Sequence, residues 1–222
     1  MRKAIALIAL VSILLALCGC AGSAEAGLPE QPSAATTAEK TPLQPYEGEI
    51  PADLFGIYDE ETYTNAAFGV KFHRNGSWSF YTQQKLASLN GGSEEASETL
   101  KRMGFVYDMY ASSAFETLGF ALAIPSSQFG KAMTEDEYAQ AVKAASARDY
   151  AGADYDVVSD EIATARFGGV EHACFYLTVA ASGMVFYTAQ IFLQHGDFIG
   201  VIYVSASSEE SMASLLSSFV GA

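Results

Sequence analysis

A short apolar segment near the start of the chain limits which residues can build the fold. It runs from Ala4 to Leu17 and follows the basic pair Arg2 and Lys3. A helix that crosses the hydrocarbon core of a bilayer needs about 20 apolar residues, so this run is too short for a typical span and fits the apolar region of a signal peptide. We therefore expect residues 1–19 to be a signal peptide and the fold to be built from the chain after it.

The apolar run ends in Leu17-Cys18-Gly19-Cys20. This stretch resembles the bacterial lipobox, in which a small residue precedes the Cys that receives a diacylglycerol and becomes the new N-terminus. Cys20 follows the small Gly19 and has Leu17 three residues upstream, whereas Cys18 follows the bulky Leu17 itself. Cys20 is therefore the predicted lipid attachment site. An ordinary signal peptide cut near residues 21–26 is the alternative.

Lipidation at Cys20 implies a protein held at the extracytoplasmic face of the cell membrane. One acyl chain such as palmitate binds a membrane only marginally, while two or three hold a protein firmly. In a cell with an outer membrane, Ala21 rather than Asp after Cys20 resembles an outer-membrane sorting signal. The sequence leaves open whether the cell has such a membrane.

The composition changes after the lipidation site. Residues 20–53 are rich in Ala, Ser, Thr, Glu and Gly, and they contain five prolines: Pro29, Pro32, Pro42, Pro45 and Pro51. Such a stretch cannot bury enough apolar surface to offset the entropy of ordering, so we expect a disordered, extended linker. Residues 54–222 are expected to form one domain, because a chain of that length supports one hydrophobic core.

The charge balance excludes one class of partner. The chain carries 12 basic and 26 acidic residues, a net charge of −14. Nucleic acids are bound through Lys and Arg patches that displace counterions from phosphates, so we expect no nucleic-acid partner. Docking on anionic lipid is disfavoured for the same reason. Solubility accounts for the charge, and a cationic partner or metal cations stay open.

Alternation and apolar runs predict most of the strands. Val70 and Phe72 alternate with polar neighbours, and Asn75-Gly76 predicts a hairpin turn before Trp78 and Phe80. Further strands are predicted at residues 105–112, 118–124, 155–158, 162–167, 170–180, 184–194 and 198–205. The last three follow one another through short turns, which predicts an antiparallel meander.

Capping residues mark the helices. Thr82 caps a short helix, residues 93–103 form a second, and Thr134 with Glu137 forms a capping box for a helix to about Tyr150. Residues 207–210 form a second box that opens a terminal helix. One face of that helix is interpreted as core packing: Met212, Leu215, Leu216 and Phe219. Together these elements predict an α+β fold, an antiparallel β-sheet with helices packed on its faces.

Two segments resemble a known family. Residues 63–78 (YTNAAFGVKFHRNGSW) and 201–219 (VIYVSASSEESMASLLSSF) are similar to the opening hairpin and the closing strand and helix of the Mog1/PsbP/DcrB-like α/β sandwich superfamily. Members usually have Pro before the Trp turn, where this chain has Asn75-Gly76-Ser77. The resemblance implies an α-β sandwich and a role as an assembly subunit or partner-binding module, without a shared catalytic motif.

The sequence contains few candidate residues for catalysis, metal binding or ligand binding. His73, His172 and His195 have no metal-binding spacing, and they are interpreted as surface or strand-end residues. Once the leader is removed and Cys20 carries the lipid, Cys174 is the one free cysteine, and we expect a buried, inert thiol. Five acids are interpreted as exposed charges on a connecting segment: Asp149, Asp154, Asp156, Asp160 and Glu161. Tyr107 is one of several aromatic residues that can line a groove, and Tyr110 is another. No cofactor is expected.

Three functions remain in competition. The leading hypothesis is a non-catalytic, lipid-anchored extracytoplasmic domain that binds an envelope protein or assembly. The second is a small-ligand or solute-binding lipoprotein with an apolar cleft rimmed by tyrosines. The third and weakest is an envelope hydrolase with a dispersed site, because catalytic triads are defined by geometry rather than by sequence order. The partner and the oligomeric state stay open.

Overall fold

A computed structural model describes residues 45–92, 95–150 and 155–221 of the chain. The predicted signal peptide, the lipid attachment site Cys20 and the linker up to residue 44 lie outside these ranges, as does Asp154. Those predictions stay predictions. Within the described ranges, no helix combines the length and the apolar character that a bilayer span requires.

Two antiparallel sheets make up the fold. Their strands are β1 (Ile57–Tyr58), β2 (Thr62–Asn65), β3 (Val70–His73), β4 (Ser79–Phe80), β5 (Phe105–Ser112), β6 (Thr117–Ala123), β7 (Asp156–Phe167), β8 (Val170–Ala181), β9 (Met184–His195), β10 (Phe198–Ala206) and β11 (Phe219–Gly221). The large sheet has the order β4-β5-β6-β10-β9-β8-β7, and the small sheet has the order β1-β2-β3-β11.

Helices complete the layers. They are α1 (Gln83–Leu89), α2 (Ala96–Met103), α3 (Pro125–Phe129), α4 (Glu135–Tyr150) and α5 (Glu209–Ser217), and a 3-10 turn covers Ala52–Leu54. One face of the large sheet packs against α1, α3 and α4, and the other packs against the small sheet, α2 and α5. Every residue of β6 and β10 is buried, because these central strands are covered on both faces. The predicted α+β sandwich is confirmed.

The capping predictions agree with the structure. The Thr82 side chain accepts from the Lys85 N–H at the start of α1. At the start of α4, the Thr134 N–H donates to Glu137 Oε2 at 3.0 Å, and the Glu137 N–H donates to Thr134 Oγ1 at 3.3 Å. These reciprocal bonds satisfy two N–H groups that a helix start leaves without intrahelical partners.

The predicted hairpin at Asn75-Gly76 is wrong. The turn forms, with the Trp78 N–H donating to the Asn75 carbonyl at 3.0 Å. However, β3 pairs with β2 and β11, while β4 pairs with β5. The turn therefore carries the chain from the small sheet to the large one, because β2 and β11 occupy both sides of β3 and leave no edge for β4.

Three boundaries also differ from the prediction. The two segments predicted at 155–158 and 162–167 form one strand, β7, with an irregularity between Val157 and Ser159. The terminal helix ends at Ser217, and Phe219 packs in the core from β11 instead. Ordered contacts begin before Leu54, since Tyr46 packs on the core and its N–H donates to the Lys101 carbonyl at 2.9 Å.

Candidate interaction surface

The edges of the two sheets differ greatly in length. Three of the four edge strands are very short: β1 and β4 have two residues each, and β11 has three. The fourth edge strand, β7, has twelve residues and, within the described ranges, pairs with β8 alone, from Asp156↔Ala180 to Phe167↔Val170. Proteins usually keep edges short because an exposed edge offers unpaired N–H and C=O groups to another strand. Strand β7 is the exception in this fold.

The side chains of β7 are open to solvent along most of its length. Phe167 is its one buried residue, and Val158 is 62 % exposed. Val157 and, on β9, Val185 are also exposed large apolar residues at this corner of the sheet. Exposed apolar groups beside an open edge are a feature of protein-interaction sites.

A cleft lies between the end of α4 and the start of β7. We call it the α4–β7 cleft. Its volume is about 360 Å³, within the range of ligand pockets in proteins. It is lined by Ser146, Ala147, Tyr150, Tyr155, Asp156, Val157, Asp160, Phe175 and Leu177. A strand added to β7 would therefore place alternate side chains in or over this cleft.

Aromatic rings form one wall of the cleft. The rings of Tyr150 and Tyr155 lie 5.6 Å apart at an angle of 81°. Burial raises the pKa of both phenols above the ordinary value of 10.0. Both side chains are therefore neutral at physiological pH. The Tyr155 hydroxyl oxygen is shielded from solvent and has no hydrogen-bond partner among the described residues.

One lysine already contacts the rim of the cleft. Lys143 on α4 donates to the Asp160 carbonyl at 2.8 Å, and its Nζ lies 3.2 Å from Asp160 Oδ1. This pair ties the helix to the edge strand. Both side chains are about a third exposed, so the ion pair is screened by solvent and contributes little stability.

A smaller, more enclosed cavity adjoins the cleft. Ser146 and Tyr150 line both spaces. The enclosed cavity has a volume of about 30 Å³, room for about one water molecule. Gln190 on β9 is also in its wall and is 2 % exposed. The arrangement provides a polar contact for one small molecule beneath α4.

Asp108 is a buried carboxylate that the sequence analysis missed. It lies on β5 where the pairing with β6 shifts register between Tyr107 and Met109. Its Oδ2 accepts from the Gly56 N–H at 2.7 Å and from the Tyr63 hydroxyl at 2.5 Å. Burial raises the pKa of Asp108 above the ordinary value of 3.8, against the opposing effect of these hydrogen bonds. The group joins the small sheet to the large one.

The three histidines have separate surroundings. His73 Nδ1 lies 3.1 Å from Thr62 Oγ1, and His195 packs on the Phe68 ring at 5.5 Å. His172 Nδ1 lies 3.1 Å from both carboxylate oxygens of Glu135, the first residue of α4. No group of three His, Cys, Asp or Glu able to hold a metal ion occurs within residues 45–92, 95–150 and 155–221.

Cys174 and the two groove tyrosines lie in the interior. Cys174 is fully buried, and this burial raises the pKa of its thiol to about 11. The thiolate needed for nucleophilic attack is therefore scarce at neutral pH. Tyr107 and Tyr110 are also buried, with ring centroids 5.4 Å apart beneath the helical layer. They pack the core and do not line a groove.

The acidic segment is divided between several environments. Asp149 lines the enclosed cavity, and Asp156 and Asp160 line the α4–β7 cleft. Glu161 is exposed on β7 opposite Tyr176, and Asp154 lies outside the described residues. The structure thus places two of the five acids at the cleft beside the open edge.

No protein-family model matches the chain, and no curated protein matches its sequence. A search of solved structures finds a likeness to the solution structure of cyanobacterial PsbP (CyanoP) from Synechocystis sp. PCC 6803. The identity is 12 % and the TM-score is 0.44, over 79 % of this chain and 99 % of that chain. A likeness at this level does not assign a role to the chain.

Proposed function

We propose that this chain is a lipid-anchored extracytoplasmic domain, without catalytic activity, that binds an envelope protein by accepting a strand at β7. The observation that carries the proposal is the length of the open edge, twelve residues on β7 against two or three on every other edge strand. In strand addition, main-chain hydrogen bonds supply affinity and neighbouring pockets select side chains. The α4–β7 cleft is such a pocket.

The location in this proposal rests on the sequence. The lipobox-like Leu17-Cys18-Gly19-Cys20 and the proline-rich stretch after it favour a domain held away from a membrane by a spacer. A domain in that position meets other envelope proteins by diffusion near the membrane surface. An open strand edge is then available to them.

Proline variants of β7 test strand addition. Successive residues of a strand direct their N–H groups to opposite sides, so Ala163→Pro and Thr164→Pro affect different sides of β7. One of these two prolines removes an N–H group that points away from β8, and it leaves the hydrogen bonds between β7 and β8 intact. We expect the variant that retains the wild-type melting midpoint to lose partner capture by crosslinking of the full chain in membranes.

Ser79→Pro on β4 is the matched control, because it places proline on the opposite edge of the same sheet. Capture should be unchanged in this variant. The proposal is wrong if the folded β7 variant captures the same proteins as the wild type. It is also wrong if capture is lost equally with proline on β4.

A second candidate function is favoured by one observation. The α4–β7 cleft has a volume of about 360 Å³ and walls of Tyr150, Tyr155, Phe175 and Leu177, which suits a small apolar ligand. Saturation with such a ligand stabilises a protein, by about 2.7 kcal/mol at 100 times the dissociation constant. A ligand that raises the melting midpoint equally in wild type and in the folded proline variant supports this function instead.

A further inference from the structure

The surroundings of the open edge are acidic. The first half of β7 carries three carboxylates and no lysine or arginine: Asp156, Asp160 and Glu161. Strand β7 itself carries one basic residue, Arg166, near its far end, where its Nε donates to the Gly169 carbonyl at 3.3 Å. A strand that pairs with the first half of β7 therefore meets negative charge on both faces of the sheet.

The cleft beside this half of β7 has features that suit a cation. Asp156 and Asp160 line it, and the ring of Tyr155 lies in its wall. Ammonium and guanidinium groups bind to carboxylates and to the electron-rich faces of aromatic rings. Lys143, at 3.2 Å from Asp160, shows that an ammonium group fits at the rim.

The apolar residues at the edge indicate that the partner strand also carries apolar side chains. Val157 and Val158 are exposed, and Ala163 and Ala165 leave a shallow surface on the face of β7 away from α4. In a partner strand, apolar side chains on one face would cover this surface, and the basic side chains that alternate with them would reach the cleft on the other face.

We propose that the occupant of the β7 edge is an extended segment in which apolar residues alternate with lysine or arginine, one cationic side chain entering the α4–β7 cleft. This inference rests on the proposed function and adds the chemistry of the partner. A second copy of this chain would bring its own acids to the same edge, and like charges opposite one another destabilise a sheet. The net charge of −14 also steers a basic partner toward the domain.

Defined peptides test the inference on the purified full chain in mild detergent. The probes are a short peptide of alternating valine and lysine and matched peptides that replace lysine by glutamate or glutamine. Hydrogen exchange read by mass spectrometry reports protection of β7, and anisotropy of a labelled peptide reports affinity. We expect protection of residues 156–167 and about tenfold tighter binding of the lysine peptide than the glutamate peptide, decreasing with salt.

Two variants should change the affinity in opposite directions. Asp156→Asn removes an exposed carboxylate and should weaken binding of the lysine peptide about two- to fivefold. Lys143→Met releases Asp160 from its present partner and should strengthen binding by a similar factor. Glu98→Gln makes the same charge change as Asp156→Asn on α2, away from β7, and should have no comparable effect.

The outcomes separate this inference from the proposed function. If the lysine and glutamate peptides bind equally and both protect β7, the charge specificity is wrong and strand addition stands. If no peptide protects β7 while partner capture still depends on the proline variant, the partner chemistry is wrong. If no peptide protects β7 and partner capture does not depend on the folded proline variant, the proposed function is wrong as well. A dimer through β7 that the lysine peptide does not dissociate also overturns the inference.

Discussion

At the scale of single residues, Asp108 is a carboxyl group buried among hydrogen-bond donors. Three donors reach its Oδ2: the Gly56 N–H, the Tyr63 hydroxyl and the Asn65 amide at 3.3 Å. The carboxylate is 7 % exposed, and burial raises its pKa above 3.8. A raised folded-state pKa contributes stability that is fully present below the unfolded pKa and is lost as the pH rises through the folded pKa.

We therefore predict that Asp108→Asn flattens the pH dependence of unfolding. The amide keeps an oxygen for the three donors and cannot ionise. At neutral pH, the free energy of unfolding of the variant should lie within about 1 kcal/mol of the wild-type value or above that value. Urea unfolding measured from below pH 3.8 to neutral pH tests this, and the wild type should lose stability relative to the variant as the pH rises.

Asp108→Ala is the contrasting variant. It leaves the Gly56 N–H and the Tyr63 hydroxyl without their acceptor, and each such group costs about 1–3 kcal/mol, whereas the Asn65 amide keeps its bond to the Leu54 carbonyl. A loss of about 2 kcal/mol or more is expected at every pH. Equal pH slopes in the wild type and Asp108→Asn would contradict the linkage between this carboxyl group and stability.

Asp108 also shows where sequence reasoning ends at the residue scale. A period-two reading of β5 assigns every second residue to one face. The register shift between Tyr107 and Met109 breaks that period and turns the carboxylate toward the small sheet. Nothing local in the sequence marks the shift, whereas the buried thiol of Cys174 followed from its apolar neighbours.

At the scale of elements, the start of α4 offers a direct test of helix capping. Thr134→Ala removes the side-chain acceptor of the Glu137 N–H and should lower the free energy of unfolding by about 1 kcal/mol. Thr134→Ser keeps a hydroxyl at this position and serves as the control. Thermal or urea unfolding that shows the same loss for both variants would assign the effect to the lost methyl group.

Most of the long elements were predictable, whereas the strands of two or three residues were not. The meander β8-β9-β10 and helix α4 follow from sustained periodicity and caps, which are properties of consecutive residues. Strands β1, β4 and β11 have two or three residues, too few for a period. The turn at Asn75-Gly76 is local, but the choice of partner strand depends on the whole core, so a correct turn still led to a wrong hairpin.

At the scale of the whole molecule, the predicted anchor is open to a direct test. We expect the full chain, expressed in a bacterial host, to incorporate radiolabelled palmitate and to sediment with membranes. Cys20→Ser should lose the label, because the thiol that accepts the lipid is absent. Cys18→Ser should keep it, since Cys18 follows the bulky Leu17.

The opposite pattern would contradict the assignment. Loss of label in Cys18→Ser with retention in Cys20→Ser would move the attachment site, and an unlabelled wild type would favour an ordinary signal peptide.

The sequence predicts the interaction site less well than it predicts the anchor. The edge position of β7 depends on the order of seven strands, which no local pattern in the sequence indicates. The sequence likewise does not indicate that Asp156 and Asp160 line one cleft, because that depends on how α4 packs beside β7.

The small sheet has a consequence for the timing of folding. Strand β3 lies between β2, its neighbour in sequence, and β11, the last described strand of the chain. When β3 leaves the ribosome, one of its two partners has not yet been synthesised. Phe72 then lacks its contact with Phe219, whose ring centroid lies 5.3 Å away in the folded protein. The small sheet cannot be completed before β11 has been made, so until then a nascent chain carries β3 with one side unpaired.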